Sequence, residues 1–154
     1  MMANLHYRKY DCMTDTDIIL DLHKKVFCQS KLSLPPVHRL MIMEGIIVND
    51  NNNSEPIAYL LYSKNKRDQS WIYLEYIGVD PKYQNNSIGK MLIELFIDNL
   101  TKNKLYSYLD VEEDAIDTLK LIRWYSKYGY KVSEEHRTSK YESVKMTRMI
   151  RTTL

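Results

Sequence analysis

Glycine is scarce in this sequence, four residues in 154, and its scarcity removes the commonest phosphate-binding signatures. A dinucleotide fingerprint needs three spaced glycines at a strand-to-helix turn. The one such polar turn, Gln84 to Lys90, contains only Gly89. A P-loop needs another glycine five residues before Gly89 and a Ser or Thr after the lysine, but Gln84 and Met91 occupy those places. Cysteine is scarcer still. Cys12 and Cys28 cannot form a disulfide framework for a chain of this size, which points to free thiols in a reducing compartment. His6, His23, His38 and His136 lack the short paired spacings of a zinc site, so no metal is expected. No apolar run nears bilayer-spanning length, and the N-terminal MMANLHYRKYD lacks a signal-peptide core; a cytoplasmic protein with no membrane partner is expected. The net charge is only +2, with Lys and Arg scattered, which argues against a nucleic-acid partner.

The residues present are those of a folded protein, 44% hydrophobic and 27% charged, and the length suits one domain over 1–154. The organising stretch runs from Trp71 to Asn103. Trp71 to Val79 is β-branched, aromatic or apolar with few breaks, the composition of a strand covered on both faces. Pro81 ends it. Beyond the turn, Ile88, Met91, Leu92, Leu95, Phe96 and Leu100 recur at helical spacing, while Lys90, Glu94, Asp98 and Lys102 step along the opposite face.

Upstream, Leu5 to Tyr10 reads as a strand. Thr14 to Asp17 offers a capped helix start, followed by a stripe of Ile18, Ile19, Leu22, Val26 and Phe27. His23 falls within this helix as a satisfied or solvent-facing residue rather than a catalytic one. Pro35 and Pro36 can begin a second helix through Val37, Leu40 and Met41, with Gly45 to close it. Ile46 to Val48 and Pro56 to Tyr62 are strands around a polar loop, Asn49 to Ser54. A turn at Lys64 to Gln69 then leads into the central strand, so that three strands form an antiparallel meander. Leu105 to Val111 follows a helix and should therefore lie parallel to the central strand. A helix from Ala115 to Tyr128, stopped by Gly129, precedes a closing antiparallel pair, Tyr130 to Arg137 and Tyr141 to Ile150.

The turn before the central helix is a natural anion cradle, because the first N–H groups of a helix lack internal partners and face the positive end of its dipole. The plain alternative is that Ser87 is an N-cap and Gly89 a tolerated helix residue. The segment Ile77-Gly78-Val79-Asp80-Pro81, then Gln84-Asn85-Asn86-Ser87-Ile88-Gly89, resembles the pyrophosphate loop of the GNAT superfamily of N-acetyltransferases, with Ser87 where that loop has its first glycine. The run from Thr118 to Tyr130 resembles a second GNAT motif: Tyr125, Lys127 and Gly129-Tyr130 fit, Trp124 replaces a leucine, Thr118 an asparagine and Leu121 an alanine.

The resemblance implies an α/β (α+β) fold, a mixed, mostly antiparallel central sheet with helices on both faces. It also implies an acetyl-CoA-dependent acyltransferase that moves acetyl directly to a primary amine of a small molecule or peptide. Carried over by position, the backbones of Ile77 and Val79 would pair with the pantetheine arm like an added strand. Gln84 and the N–H groups of Asn86, Ser87, Ile88, Gly89 and Lys90 would hold the pyrophosphate, and Thr118 and Tyr125 would complete cofactor binding. Tyr125 would be the general acid for the coenzyme A thiolate. Glu75 is the candidate base, with a buried partner for a nearby Arg or Lys as the rival reading. The linker Cys28 to Pro36 and the segment Glu134 to Tyr141 would shape the acceptor pocket. The resemblance also admits a homodimer, and an alternative in which an impaired relative binds acyl-CoA as a sensor or scaffold.

Overall fold

A computed structural model describes residues 4–27, 34–84, 87–113, 117–138 and 145–153, with the backbone alone for 134–138. Among them the elements follow the expected order: β1 (Leu5–Lys9), α1 (Thr16–Val26), α2 (Val37–Leu40), β2 (Glu44–Asp50), β3 (Glu55–Lys64), β4 (Trp71–Val79), α3 (Ile88–Lys102), β5 (Tyr106–Glu112), α4 (Thr118–Ser126), β6 (Lys131–Thr138) and β7 (Lys145–Arg151). The strands join in the order β1-β2-β3-β4-β5-β7-β6, a mixed, mostly antiparallel sheet whose parallel pair is β4 with β5, as the intervening helix requires. No helix among the described residues is long and apolar enough to cross a membrane.

The chain divides into two compact units. The first comprises Met1–Gln29, Leu34–Ser63 and Leu74–Phe96. Its core gathers the expected stripe of α1, through Ile19 and Leu22, with Leu40 of α2, Ile47 of β2 and Tyr59 and Leu61 of β3. Each such side chain taken from water contributes about 1.5–3 kcal/mol before the entropy cost of ordering it. Ile88, Leu92, Ile93 and Phe96 bury the apolar face of α3, and Phe96 meets Tyr62 with ring centroids 5.3 Å apart.

Two local expectations shift in this unit. The helix α1 starts after Asp15, and Thr14 sits in the preceding turn. Asp15 makes no side-chain cap because its carboxylate is taken by Arg8, at 2.7 and 2.9 Å, and by the Asp11 N–H; the Arg8 guanidinium holds that carboxyl below its usual range. Gly45 does not close α2, which ends at Leu40 and turns through Met41 and Ile42. It lies inside β2, where an added Cβ would stand 2.0 Å from the Leu60 carbonyl oxygen, so the glycine serves close strand packing.

The second unit comprises Ser30–Ser33, Lys64–Tyr73 and Ile97–Leu154. Three rungs, Trp71↔Tyr106 to Tyr73↔Tyr108, pair β4 with β5, and β7 lies antiparallel between β5 and β6. Its buried side chains include Ile72, Leu100, Leu109, Val111, Tyr130 and Met149, and the Ser107 and Tyr130 hydroxyls share a hydrogen bond of 2.7 Å. Gly129 stops α4 as expected, at φ +93, and beside it the Arg151 guanidinium donates to the Tyr128 carbonyl at 2.9 Å. The start of α4 at Thr118 differs from the expected Ala115, which lies outside the described residues.

The strand β4 is not covered on both faces. Ile72, Leu74 and Gly78 are buried, whereas Trp71, Tyr73, Glu75, Ile77 and Val79 are half-buried. The composition misled because the aromatic residues shelter on their neighbours' rings: Trp71 against Tyr106 and Tyr73 against Tyr108, with centroids 4.9 Å apart in each pair.

Candidate active site

The rungs that pair β4 with β5 run from Trp71 to Tyr73, so the backbones of Ile77 and Val79 lie beyond that pairing. The strand ends where the Asp80 N–H bonds the Ile57 carbonyl at 2.7 Å. The Asp80 side chain then receives the Lys82 N–H and starts a single 3-10 turn, Pro81–Tyr83. Gln84 leaves that turn with its side-chain amide donating to the Val79 carbonyl at 3.3 Å. Asn85 and Asn86, the latter an expected phosphate ligand, lie outside the described residues.

Ser87 re-enters at the head of α3 with φ 60, the left-handed region that favours glycine. Its carbonyl accepts the Met91 N–H at 3.0 Å, so it stands at the first turn of the helix, followed by Ile88, Gly89 and Lys90. Serine here holds a backbone conformation that glycine adopts more easily. From Ser87 to Lys90 the chain thus sets the first-turn amides at the positive end of a 15-residue helix. Ile88 is buried and anchors the turn from below, while Lys90 is exposed and pairs with Glu94 at 4.0 Å.

Glu75 is the one charged residue of β4, and its side chain is 7% exposed. Its carboxylate is gripped by the Arg39 guanidinium of α2 and receives the Ser63 hydroxyl at 2.8 Å. Glu75 thus has the cationic partner of the rival reading. Nothing in the sequence around Glu75 names these partners: Arg39 is 36 residues away, in a helix of one turn. Nearby in this unit, His23 is buried and satisfied, with Nδ1 2.8 Å from the Tyr59 hydroxyl and the rings of Phe27 and Tyr76 against it at 4.7 and 4.9 Å. Burial drops its pKa to about 4, so it is neutral and poorly suited to carry a proton at neutral pH.

In the second unit, Tyr125 is buried on α4, with Trp124 and Tyr130 packed edge-on at 5.1 and 5.9 Å. Burial, helped by Tyr130, raises its pKa far above the usual tyrosine value and keeps the hydroxyl protonated. That hydroxyl makes no hydrogen bond to a described residue. Thr118 instead has its hydroxyl engaged with the Glu112 and Glu113 carbonyls at 2.7 and 3.0 Å, tying the start of α4 to the end of β5. Of the segments expected at the acceptor pocket, residues 28–33 and 139–141 lie outside the described residues, as do the side chains of residues 134–138.

The sequence of residues 16–130 matches the family described as Acetyltransferase (GNAT) family, from the start of α1 through the aromatic residue after Gly129. The chain belongs to the GNAT acetyltransferase family. Members of this family transfer acetyl groups, so both the loop ahead of α3 and the motif on α4 fall within a domain of that chemistry. No curated protein sequence matches the chain. Among solved structures, this GNAT chain resembles the ribosomal-protein-S18-alanine N-acetyltransferase from Escherichia coli, at TM-score 0.73 and 16% identity over 96% of this chain and 92% of that one. It is equally similar to Ard1 from Thermoplasma volcanium, with TM-score 0.73 and 17% identity over 97% and 98% of the two chains. A spermidine N-acetyltransferase chimera from Vibrio cholerae and hSSAT gives TM-score 0.69 and 17% identity over 97% and 95%. At these identities the likeness speaks for the fold, which is that of GNAT enzymes.

Proposed function

We propose that this protein is an acetyl-CoA-dependent N-acetyltransferase that passes acetyl directly from the thioester to a primary amine. The observation that carries the reading is the left-handed backbone of Ser87 at the head of α3, a conformation easier for glycine, held at the position where the resemblance places a glycine. The amides from Ser87 to Lys90 would hold the diphosphate, and the backbone of Ile77 and Val79 would align the pantetheine arm. The Gln84 amide, now on the Val79 carbonyl, would turn to the diphosphate.

The amine has to lose a proton before it attacks the thioester carbonyl, and Glu75 would take it, directly or through one water. Orientation by Arg39 and Ser63 suits that role, since a fixed carboxylate costs little reorganisation. A backbone N–H near Val79 would steady the oxyanion. Tyr125, protonated and without a competing hydrogen bond among the described residues, would return a proton to the departing thiolate. Binding both reactants in one place supplies much of the rate.

The test is mass spectrometry of amine and peptide mixtures incubated with the protein and acetyl-CoA. An added acetyl group on one class of amine, with release of free coenzyme A thiol, is expected. Tight coenzyme A binding with no thiol release across the whole panel would overturn the enzymatic reading in favour of an acyl-CoA sensor.

A further inference from the structure

The partner of Glu75 is an arginine, and only part of it is used. Arg39 sits on α2 with its side chain 34% exposed, and Nη2 is its one atom bonded to Glu75. The guanidinium carries five N–H donors in a planar fork. Nε and Nη1 make no hydrogen bond to a described residue. A lysine would serve equally well as a single point of contact with a carboxylate; an arginine can give one Nη2 N–H to Glu75 and offer the other, together with the neighbouring Nε or Nη1, as a fork to a second anion.

We propose that Arg39 is a specificity-determining residue that binds a carboxylate on the acceptor, so that the substrate class is a primary amine that also bears a carboxylate, such as an amino acid. The proposal rests on the acetyltransferase reading and on Glu75 as the group that receives the amine's proton. An amine close enough to give its proton to Glu75 has its own substituents within a few bonds of the guanidinium that holds the same carboxylate. The carboxylate of an amino acid is two bonds from its nitrogen, so one substrate spans both members of the pair. Glu75, itself held by the Ser63 hydroxyl, already tethers the guanidinium, so little side-chain freedom is lost when the anion arrives.

The test offers the wild-type protein and acetyl-CoA amino acids and the corresponding amino-acid amides, with phosphoethanolamine and ethanolamine as a separate pair. The amides have the less basic amines, so they present more of the uncharged nucleophile, and chemistry alone would favour them. Arg39 reverses that order: kcat/KM for the carboxylates should exceed that for the amides by about 10-fold or more, the worth of a charge-assisted bidentate contact. In Arg39→Gln the preference should fall to within about 3-fold, through KM rather than kcat. Arg39→Lys should keep part of it. Because Arg39→Gln also loosens a buried carboxylate, the wild-type comparison decides without it. Equal transfer to acids and amides overturns the assignment of Arg39 and leaves the acetyltransferase standing. Preference for phosphoethanolamine over every amino acid overturns the carboxylate in favour of a phosphate. Transfer to none of these amines overturns the amino-acid assignment, and the acetyltransferase reading then stands or falls with the amine and peptide mixtures above.

Discussion

Ser87 is the position where a single atom group can be weighed. At φ 60 an L-residue with a Cβ crowds the following carbonyl, a cost of about 1–2 kcal/mol that glycine escapes. Ser87→Gly recovers that cost but gives back about 0.5–1 kcal/mol because glycine has more freedom to lose on folding. The hydroxyl makes no hydrogen bond to a described residue, and the side chain is exposed, so nothing else of weight is lost. The balance is a gain of about 0–1.5 kcal/mol, or about 0–6 °C in Tm for a chain of this length. Ser87→Ala keeps the Cβ and should show no such gain, which separates backbone strain from loss of the hydroxyl. Thermal melts of both variants, with calorimetric titration of coenzyme A, test the reasoning. The Kd of Ser87→Gly should fall, because the diphosphate approaches the backbone where the Cβ now stands. A lower Tm for Ser87→Gly would refute the strain argument, and an unchanged Kd would remove the diphosphate from this turn.

Tyr125→Phe should lower kcat by about 100-fold with little change in the Kd of coenzyme A, measured by steady-state kinetics and calorimetry; parallel loss of both contradicts the acid role. His23 gives a pH signature in stability. Its folded pKa, about 4, lies below the unfolded value near 6.5, so its contribution is intact above pH 6.5 and drains away as the unfolded chain protonates on the way down to about pH 4. Urea melts should show the wild type losing about 2 kcal/mol more between pH 7 and pH 5 than His23→Gln does, and identical losses would mean the imidazole is charged in the fold.

The elements most legible from the sequence are those whose signal is local. The stripe from Ile88 to Leu100 announces α3, and Gly129 announces the end of α4 because only a left-handed residue suits that stop. The parallel pairing of β4 and β5 follows from the helix that joins them. The boundaries that moved did so for tertiary reasons. Asp15 is drawn off capping duty by Arg8, and Gly45 is needed against the Leu60 carbonyl rather than at a helix end. The site divides the same way. Ser87 is visible as a departure from a glycine pattern, but its backbone angle is not. Glu75 is visible as a carboxylate in apolar company, yet Arg39 and Ser63 reach it from a different helix and a neighbouring strand, and no periodicity encodes that meeting. His23, placed by spacing on the helix, needed the Tyr59 hydroxyl to become a satisfied buried residue.

Gly78 has a consequence that extends past the strand it belongs to. A methyl group there would stand 3.0 Å from Val26 and 3.1 Å from the Tyr59 ring, so the last turn of α1 rests directly on the main chain of β4. The peptide that departs after Phe27 therefore starts from a fixed height above the strand, whatever residues follow. Under the proposed reading, substitutions beyond Phe27 would alter the acceptor pocket while the point of departure at Phe27 stays where it is. A larger residue at 78 would shift that origin itself, and diversification of the segment would then begin from a different place.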